Sequence, residues 1–241
     1  MDEGDQTNRG CDDTSRLKKR PGIMVAFDME DPSYAVRMAE ELGSADGNFA
    51  IKVGRPLEMQ TGKEIISRIR GTTDIPIIYD GKIADIPYVS AKIAEIAYDA
   101  GADGVIMHAF VGADAVREVA SLGKGDVITV IEMTHPGSVE YLEPISERLI
   151  RMVSGIGVDG VVLPATRPER VRRLSELLDR EGGSETYIIS PGVHAQGAEP
   201  GDAITSGADY EIVGRAIYRS EKPKASAERI YREIIDRLRG D

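Results

Sequence analysis

The chain has one cysteine, no tryptophan, three phenylalanines and three histidines in 241 residues. The single thiol, Cys11, can form no intramolecular disulfide, which points to a reducing, cytoplasmic setting. It lies in a polar stretch with no histidine nearby, a poor environment for a thiol nucleophile. Cations are in deficit: 30 Lys+Arg face 41 Asp+Glu, for a formal net charge of -11. That balance argues against non-specific binding to nucleic acid or to a membrane surface, while a few local cations can still hold a small anion. No run approaches the ~20 apolar residues of a membrane-spanning helix, and the first residues lack the apolar stretch of a signal peptide. An H-E-x-x-H pair, a cysteine cluster, a P-loop and a G-x-G-x-x-G after the first apolar run are also missing, so no motif asks for a metal or a dinucleotide. No Ser/His/Asp order or nucleophile elbow suggests acyl transfer.

What remains is regular. Residues 1–20 are polar and read as a frayed extension. From Pro21 onward, short apolar runs alternate with segments of helical period. The runs are Ile23–Phe27, Phe49–Val53, Pro76–Tyr79, Gly104–Met107, Val127–Ile131, Gly160–Leu163, Tyr187–Ile189 and Tyr210–Val213. They are continuously apolar, as strands of a helix-covered parallel sheet should be. Asp31-Pro32 supplies an N-cap with proline at the first helical position, and Ala35, Met38 and Leu42 give that helix one apolar stripe. Arg167-Pro168 opens another, with Val171, Leu174, Leu177 and Leu178 on its buried face. Three joints repeat a Gly-x-Asp form, at Gly101, Gly157 and Gly207, each with a glycine where a helix ends in a left-handed residue. Eight such units predict an α/β fold, a single-domain (β/α)8 barrel over residues 21–241, in preference to an open doubly wound sheet.

In such a barrel the chemistry belongs at the C-terminal ends of the strands. The polar residues there are Asp28, Lys52, Asp80, Lys82, His108, Glu132 to His135, Ser190 and Gly214-Arg215. The sharpest group is Asp80-Gly81-Lys82-Ile83-Ala84-Asp85, in which Asp80 and Lys82 are two apart and share a strand face. With Lys52 it makes an array of alternating sign. A lysine between carboxylates stays protonated, and a fixed ammonium can stabilise a carbanion and then protonate it. A carboxylate in the same place repels a substrate carboxylate but not the species left after carbon dioxide departs, which is differential stabilisation. The pattern therefore suits decarboxylation or proton transfer at carbon. A helix-start salt bridge, with Asp85 as cap, is the plainer alternative.

The second group follows the last two strands: Ser190-Pro191-Gly192 with Gln196-Gly197, then Gly214-Arg215. Barrels commonly bind phosphate there, on backbone N–H groups and a helix start, and Arg215 adds a cation. His108 and His135 read better as structural histidines, and Glu132 as a polar residue of the barrel interior.

Taken in order, Ala26-Phe27-Asp28, Ile51-Lys52-Val53-Gly54, the Asp80–Pro87 motif, Glu132-Met133-Thr134-His135-Pro136-Gly137, Ser190-Pro191-Gly192, Gln196-Gly197 and Val213-Gly214-Arg215 resemble the orotidine 5′-phosphate decarboxylase family, in its short archaeal form. The resemblance spans residues 23–217. It implies conversion of orotidine monophosphate to uridine monophosphate and carbon dioxide without metal or organic cofactor. Carried onto these positions, it makes Lys82 the proton donor to carbon 6 and sets Asp80 against the departing carboxylate. Lys52 and Asp28 would bind the ribose, and Thr134 the pyrimidine edge. Pro191 would line the closing loop, and Gln196, Gly214 and Arg215 would hold the phosphate. Asp85 would reach the neighbouring subunit's site, which implies a homodimer. Two positions depart from the pattern: Thr134 stands where serine is common, and Val89 where a threonine is usual. The magnesium-dependent sister activities, 3-hexulose-6-phosphate synthase and 3-keto-gulonate-6-phosphate decarboxylase, share D-x-K-x-x-D but end the second strand in glutamate. Lys52 discriminates against them. A non-catalytic nucleotide-binding barrel would be expected to have lost a charge of the array.

Overall fold

Each of the eight apolar runs forms a strand in the computed structural model, which describes residues 17–193 and 197–240. The strands are β1 (Gly22–Phe27), β2 (Phe49–Gly54), β3 (Ile77–Ile83), β4 (Gly104–His108), β5 (Asp126–Val130), β6 (Gly160–Val162), β7 (Tyr187–Pro191) and β8 (Tyr210–Val213). All pair in parallel with their sequence neighbours, and β1 also pairs with β8, Met24 opposite Ile212, so the sheet closes into a barrel. Around it lie α1 (Pro32–Gly43), α2 (Arg55–Thr61), α3 (Glu64–Arg70), α4 (Pro87–Asp99), α5 (Ala113–Ala120), α6 (Gly137–Tyr141), α7 (Ser146–Ser154), α8 (Pro168–Arg180), α9 (Arg215–Tyr218) and α10 (Pro223–Arg239). None of the helices among the described residues is long and apolar enough to cross a membrane.

Alternation along the strands divides the core in two. Ile23, Val25 and Phe27 pack in the shell between sheet and helices with Met38 and Leu42 of α1 and with Ile230 and Ile234 of α10. Met24, Ala50, Ile78, Ile106, Ile128 and Ile189 belong to a separate cluster inside the barrel. Helix ends follow the local chemistry: the Asp31 carboxylate accepts from the Ser33 and Tyr34 amides at 2.8 and 3.2 Å, capping α1. Val171, Leu174, Leu177 and Leu178 are the buried face of α8.

The repeated Gly-x-Asp joints do more than turn the chain. Gly101, Gly157 and Gly207 have φ of 102°, 78° and 109°, a region open to glycine at little cost. The Asp two residues on ties the new strand to the one before it. Asp103, Asp159 and Asp209 each accept, at 2.8 Å, the backbone N–H of Ile77, Val127 and Ile188. These bonds satisfy amides at the starts of β3, β5 and β7.

The polar extension expected over residues 1–20 meets the barrel earlier than its composition suggested. Leu17 is buried in the inner cluster with Met24, Tyr187 and Tyr210. Arg20 donates to Asn48 Oδ1 at 3.1 Å. Residues 1–16 lie outside the described residues.

One strand differs in a way that matters for the site. β3 continues past Tyr79 to Ile83, and its pairing with β4 shifts between those residues: Tyr79 lies opposite Val105, and Ile83 opposite Met107. Four steps on β3 match two on β4, so the strand bulges over Asp80–Lys82, and bulges of this kind re-aim side chains.

Candidate active site

The barrel mouth holds a cavity of 280 Å³ lined on one side by Asp28, Lys52, Asp80 and Lys82, and on the other by Thr134, Pro191, Gly192, Gly214 and Arg215. The charged side comes from three adjacent strands. Lys52 of β2 reaches both neighbours, with Nζ 3.2 Å from Asp28 Oδ1 and 3.0 Å from Asp80 Oδ2. Lys82 Nζ lies 2.6 and 2.8 Å from the two Asp80 oxygens. The order in space is Asp28, Lys52, Asp80, Lys82, so the alternation of sign expected from the sequence is real. Asp85, expected to extend it, does not join it within this chain. Its exposed carboxylate instead accepts the N–H of Ile86 at 2.7 Å, just ahead of α4.

The common strand face proposed for Asp80 and Lys82 also needs a physical correction. Lys82 is in the left-handed region, φ 45°, the one non-glycine residue so placed among the described residues. The bulge and this backbone turn, rather than plain alternation, bring its ammonium to Asp80. An L-residue there carries a cost of ~1–2 kcal/mol, tolerated where the surroundings impose it.

Electrostatics follow from burial and sign. Burial alone would raise the Asp80 carboxyl, but Lys52 and Lys82 outweigh it and hold the group down at about 2. Burial would lower Lys52, yet Asp80 and Asp28 keep its ammonium above the ordinary lysine value. Both groups therefore stay charged at neutral pH. Glycine is required beside them: a Cβ on Gly54 would sit 1.9 Å from Asp28 Oδ1 and 3.2 Å from Lys52 Nζ.

On the opposite side, Gly214 is the N-cap of α9 and Arg215 its first residue, at the end of β8. Pro191 ends β7, and Gly192 has φ 122° with Thr166 and Thr134 methyl groups 2.9 and 3.4 Å from where its Cβ would be. Gln196 lies outside the described residues.

The model of the Orotidine 5′-phosphate decarboxylase / HUMPS family matches residues 21–230. The chain belongs to that family. A Thermococcus kodakarensis protein named orotidine 5′-phosphate decarboxylase is 44% identical over 214 residues, covering 89% of this chain and 97% of the relative. One from Pyrococcus furiosus with the same name is 41% identical over 212 residues, 88% and 97% of the two chains. Among solved structures, the Methanocaldococcus jannaschii orotidine 5′-monophosphate decarboxylase complexed with inhibitor BMP superposes with a TM-score of 0.81 at 40% identity, covering 89% of this chain and 99% of that one.

Family membership does not spell out this chain's buried network in the cavity wall, where Glu132 is among the lining residues. Glu132 is fully buried; its Oε1 accepts from Arg170 at 2.5 Å, and its Oε2 lies 3.5 Å from Arg167. Arg167 also donates to the Met133 carbonyl at 2.7 Å, and Arg170 to Ser146 Oγ at 2.8 Å. Glu132 thus holds two arginines from the start of α8 against the segment that carries Thr134. The sequence marked Glu132 as interior but gave no sign of partners more than 30 residues away. His108 is nearly buried beside Phe110, with ring centroids 4.7 Å apart, and burial together with Lys82 lowers its pKa. His135 is exposed, and neither histidine lines the cavity.

Proposed function

We propose that this protein decarboxylates orotidine 5′-monophosphate to uridine 5′-monophosphate, in pyrimidine biosynthesis, with Lys82 as the proton donor. The observation that carries the reading is the Lys52–Asp80–Lys82 array, in which a carboxylate held near pKa 2 lies between two ammonium groups.

The substrate carboxylate is directed at Asp80. Two anions face each other at the buried Asp80, and the repulsion disappears once neutral carbon dioxide leaves. The bond from carbon 6 to the carboxyl carbon breaks, and its electron pair stays on carbon 6. The Lys82 ammonium stabilises that charge, then transfers a proton to carbon 6; solvent later restores the proton. Lys52 keeps Asp80 in place and, with Asp28, offers polar groups to the ribose hydroxyls. Thr134 meets the pyrimidine edge.

At the other end, Gly214 and Arg215 bind the phosphate at the start of α9, with Pro191 lining the wall and Gln196 adding a donor. Binding energy from the phosphate, remote from the reacting bond, offsets the cost of bringing the carboxylate to Asp80. The residues present do not favour a divalent cation: of the carboxylates lining the cavity, Asp28 and Asp80 already face Lys52, and Glu132 faces Arg167 and Arg170.

A homodimer completes the reading, with Asp85 serving the partner's site. Its support is the exposure of Asp85 outside its own cavity, next to the exposed apolar residues Ile86 and Tyr88, 64% and 68% accessible.

The test is incubation with orotidine monophosphate labelled at the carboxyl carbon. Labelled carbon dioxide and uridine monophosphate in equal amounts are expected. Unchanged substrate overturns the reading.

A further inference from the structure

Glu211 is the second residue of β8, between two inward-facing residues, so its side chain points out of the barrel. A carboxylate in that shell is costly among apolar side chains unless its oxygens are satisfied. Glu211 is completely buried, and both of its oxygens are used: Oε2 accepts the Gly201 N–H at 2.9 Å and Oε1 the Ala203 N–H at 3.0 Å. Those amides belong to the return limb of the segment that leaves β7 and comes back before β8.

The same limb is held from outside and pinned at its base. Arg237 of α10 donates to the Pro200 carbonyl at 3.0 Å and pairs with Asp202. The Asp202 carboxylate accepts the Glu199 amide at 2.9 Å. At the base, Val193 bridges Ala198, and the Ala198 N–H reaches the Gly192 carbonyl at 3.4 Å. Glu211 is three residues before Gly214 on the same strand. It therefore ties the limb that closes on Pro191–Val193 to the strand that ends in Gly214-Arg215. These are the two walls between which the phosphate would lie.

We infer that Glu211 is a positioning residue for phosphate recognition, fixing the return limb after β7 against β8 so that the two walls of the anion site keep one spacing. This rests on the decarboxylase reading, which puts the phosphate of the nucleotide between them. Glu211 touches no substrate. Its contribution is confined to ligands that carry the phosphate.

The test compares wild type with Glu211→Gln and Arg237→Ala. The glutamine keeps the size but turns an NH2 donor toward a backbone N–H. Arg237→Ala loosens the same limb from the solvent side, where folding is less at risk. Amide hydrogen exchange at Gly201 and Ala203 reads the anchor itself, and binding of uridine monophosphate against uridine reads its consequence. Exchange should accelerate in both variants. Affinity for the monophosphate should fall about tenfold in Glu211→Gln, and less in Arg237→Ala, with uridine unchanged. Unchanged exchange in both variants overturns the anchor. Accelerated exchange with equal losses for nucleotide and nucleoside overturns the positioning role, because a merely structural defect would weaken both. Wild-type protein that binds uridine monophosphate no better than uridine contradicts the decarboxylase reading itself, and the proposal falls with it.

Discussion

Lys82 Nζ donates to both oxygens of Asp80, at 2.6 and 2.8 Å, from a backbone held at φ 45°. The strand has to bulge to make this pair. Strain and ion pair therefore belong to one feature, and substitutions at position 82 separate them.

Lys82→Ala should lower turnover at least ~1000-fold, since it removes the group proposed both to face the carbanion and to donate the proton. The fold should survive. Lys82→Gly should be equally inactive yet more stable than Lys82→Ala by about 1 kcal/mol, because glycine adopts this backbone without strain. Chemical denaturation and steady-state kinetics on the two variants check both statements. A near-normal rate in either removes Lys82 as the donor.

Asp80 should leave its mark on the acid limb of the stability profile. Its pKa falls from an ordinary 3.8 to about 2 in the folded protein. A depressed carboxylate contributes stability that is present above the unfolded value and lost as pH falls through the folded one. The wild type should therefore lose about 2 kcal/mol from this group between pH 4 and 2. Asp80→Asn should lack that component and be less stable by about 3 kcal/mol at pH 7, because Lys52 is left buried with Asp28 alone. Urea titrations at a series of pH values read the difference.

Gly54→Ala is the smallest change expected to break the array. The added methyl would overlap Asp28 Oδ1 at 1.9 Å, so the carboxylate must leave Lys52. We expect a loss of kcat/KM of about 100-fold with little change in Tm, as the clash is with a side chain at the mouth and not with the core. Wild-type kinetics would show that Asp28 has no part in binding or in holding Lys52.

Arg215→Ala should weaken binding of a phosphorylated ligand by about 2 kcal/mol and leave the bare nucleoside nearly unaffected. Calorimetry with uridine monophosphate and uridine makes the comparison. Equal losses for both would move the phosphate elsewhere.

How much of the fold and site is legible in the sequence depends on what each residue answers to. The eight strands are readable because continuous apolar runs report burial on both faces. The cap at Asp31 and the turns at Gly101, Gly157 and Gly207 are readable because their geometry is local. The apolar pattern cuts β3 short at Tyr79 because Asp80, Gly81 and Lys82 break it; the strand continues, and the break falls in the candidate site. The left-handed Lys82 leaves no local sign, since lysine does not favour that region. Partners distant in sequence are also hidden: Glu132 with Arg170, Glu211 with Gly201 and Ala203, and Leu17 with the barrel interior. Closure of the barrel, rather than local pattern, makes those contacts.

In the proposed reaction, ammonium groups of the protein, rather than a metal ion, carry the chemistry. Ultraviolet-monitored turnover of orotidine monophosphate by chelator-treated protein, with and without added Mg²⁺, tests it most directly. The predicted result is the same rapid loss of the substrate band in both conditions, with uridine monophosphate as product. Turnover that appears only with Mg²⁺ would contradict the claim and leave Lys52 with no part in holding Asp80 for the reaction.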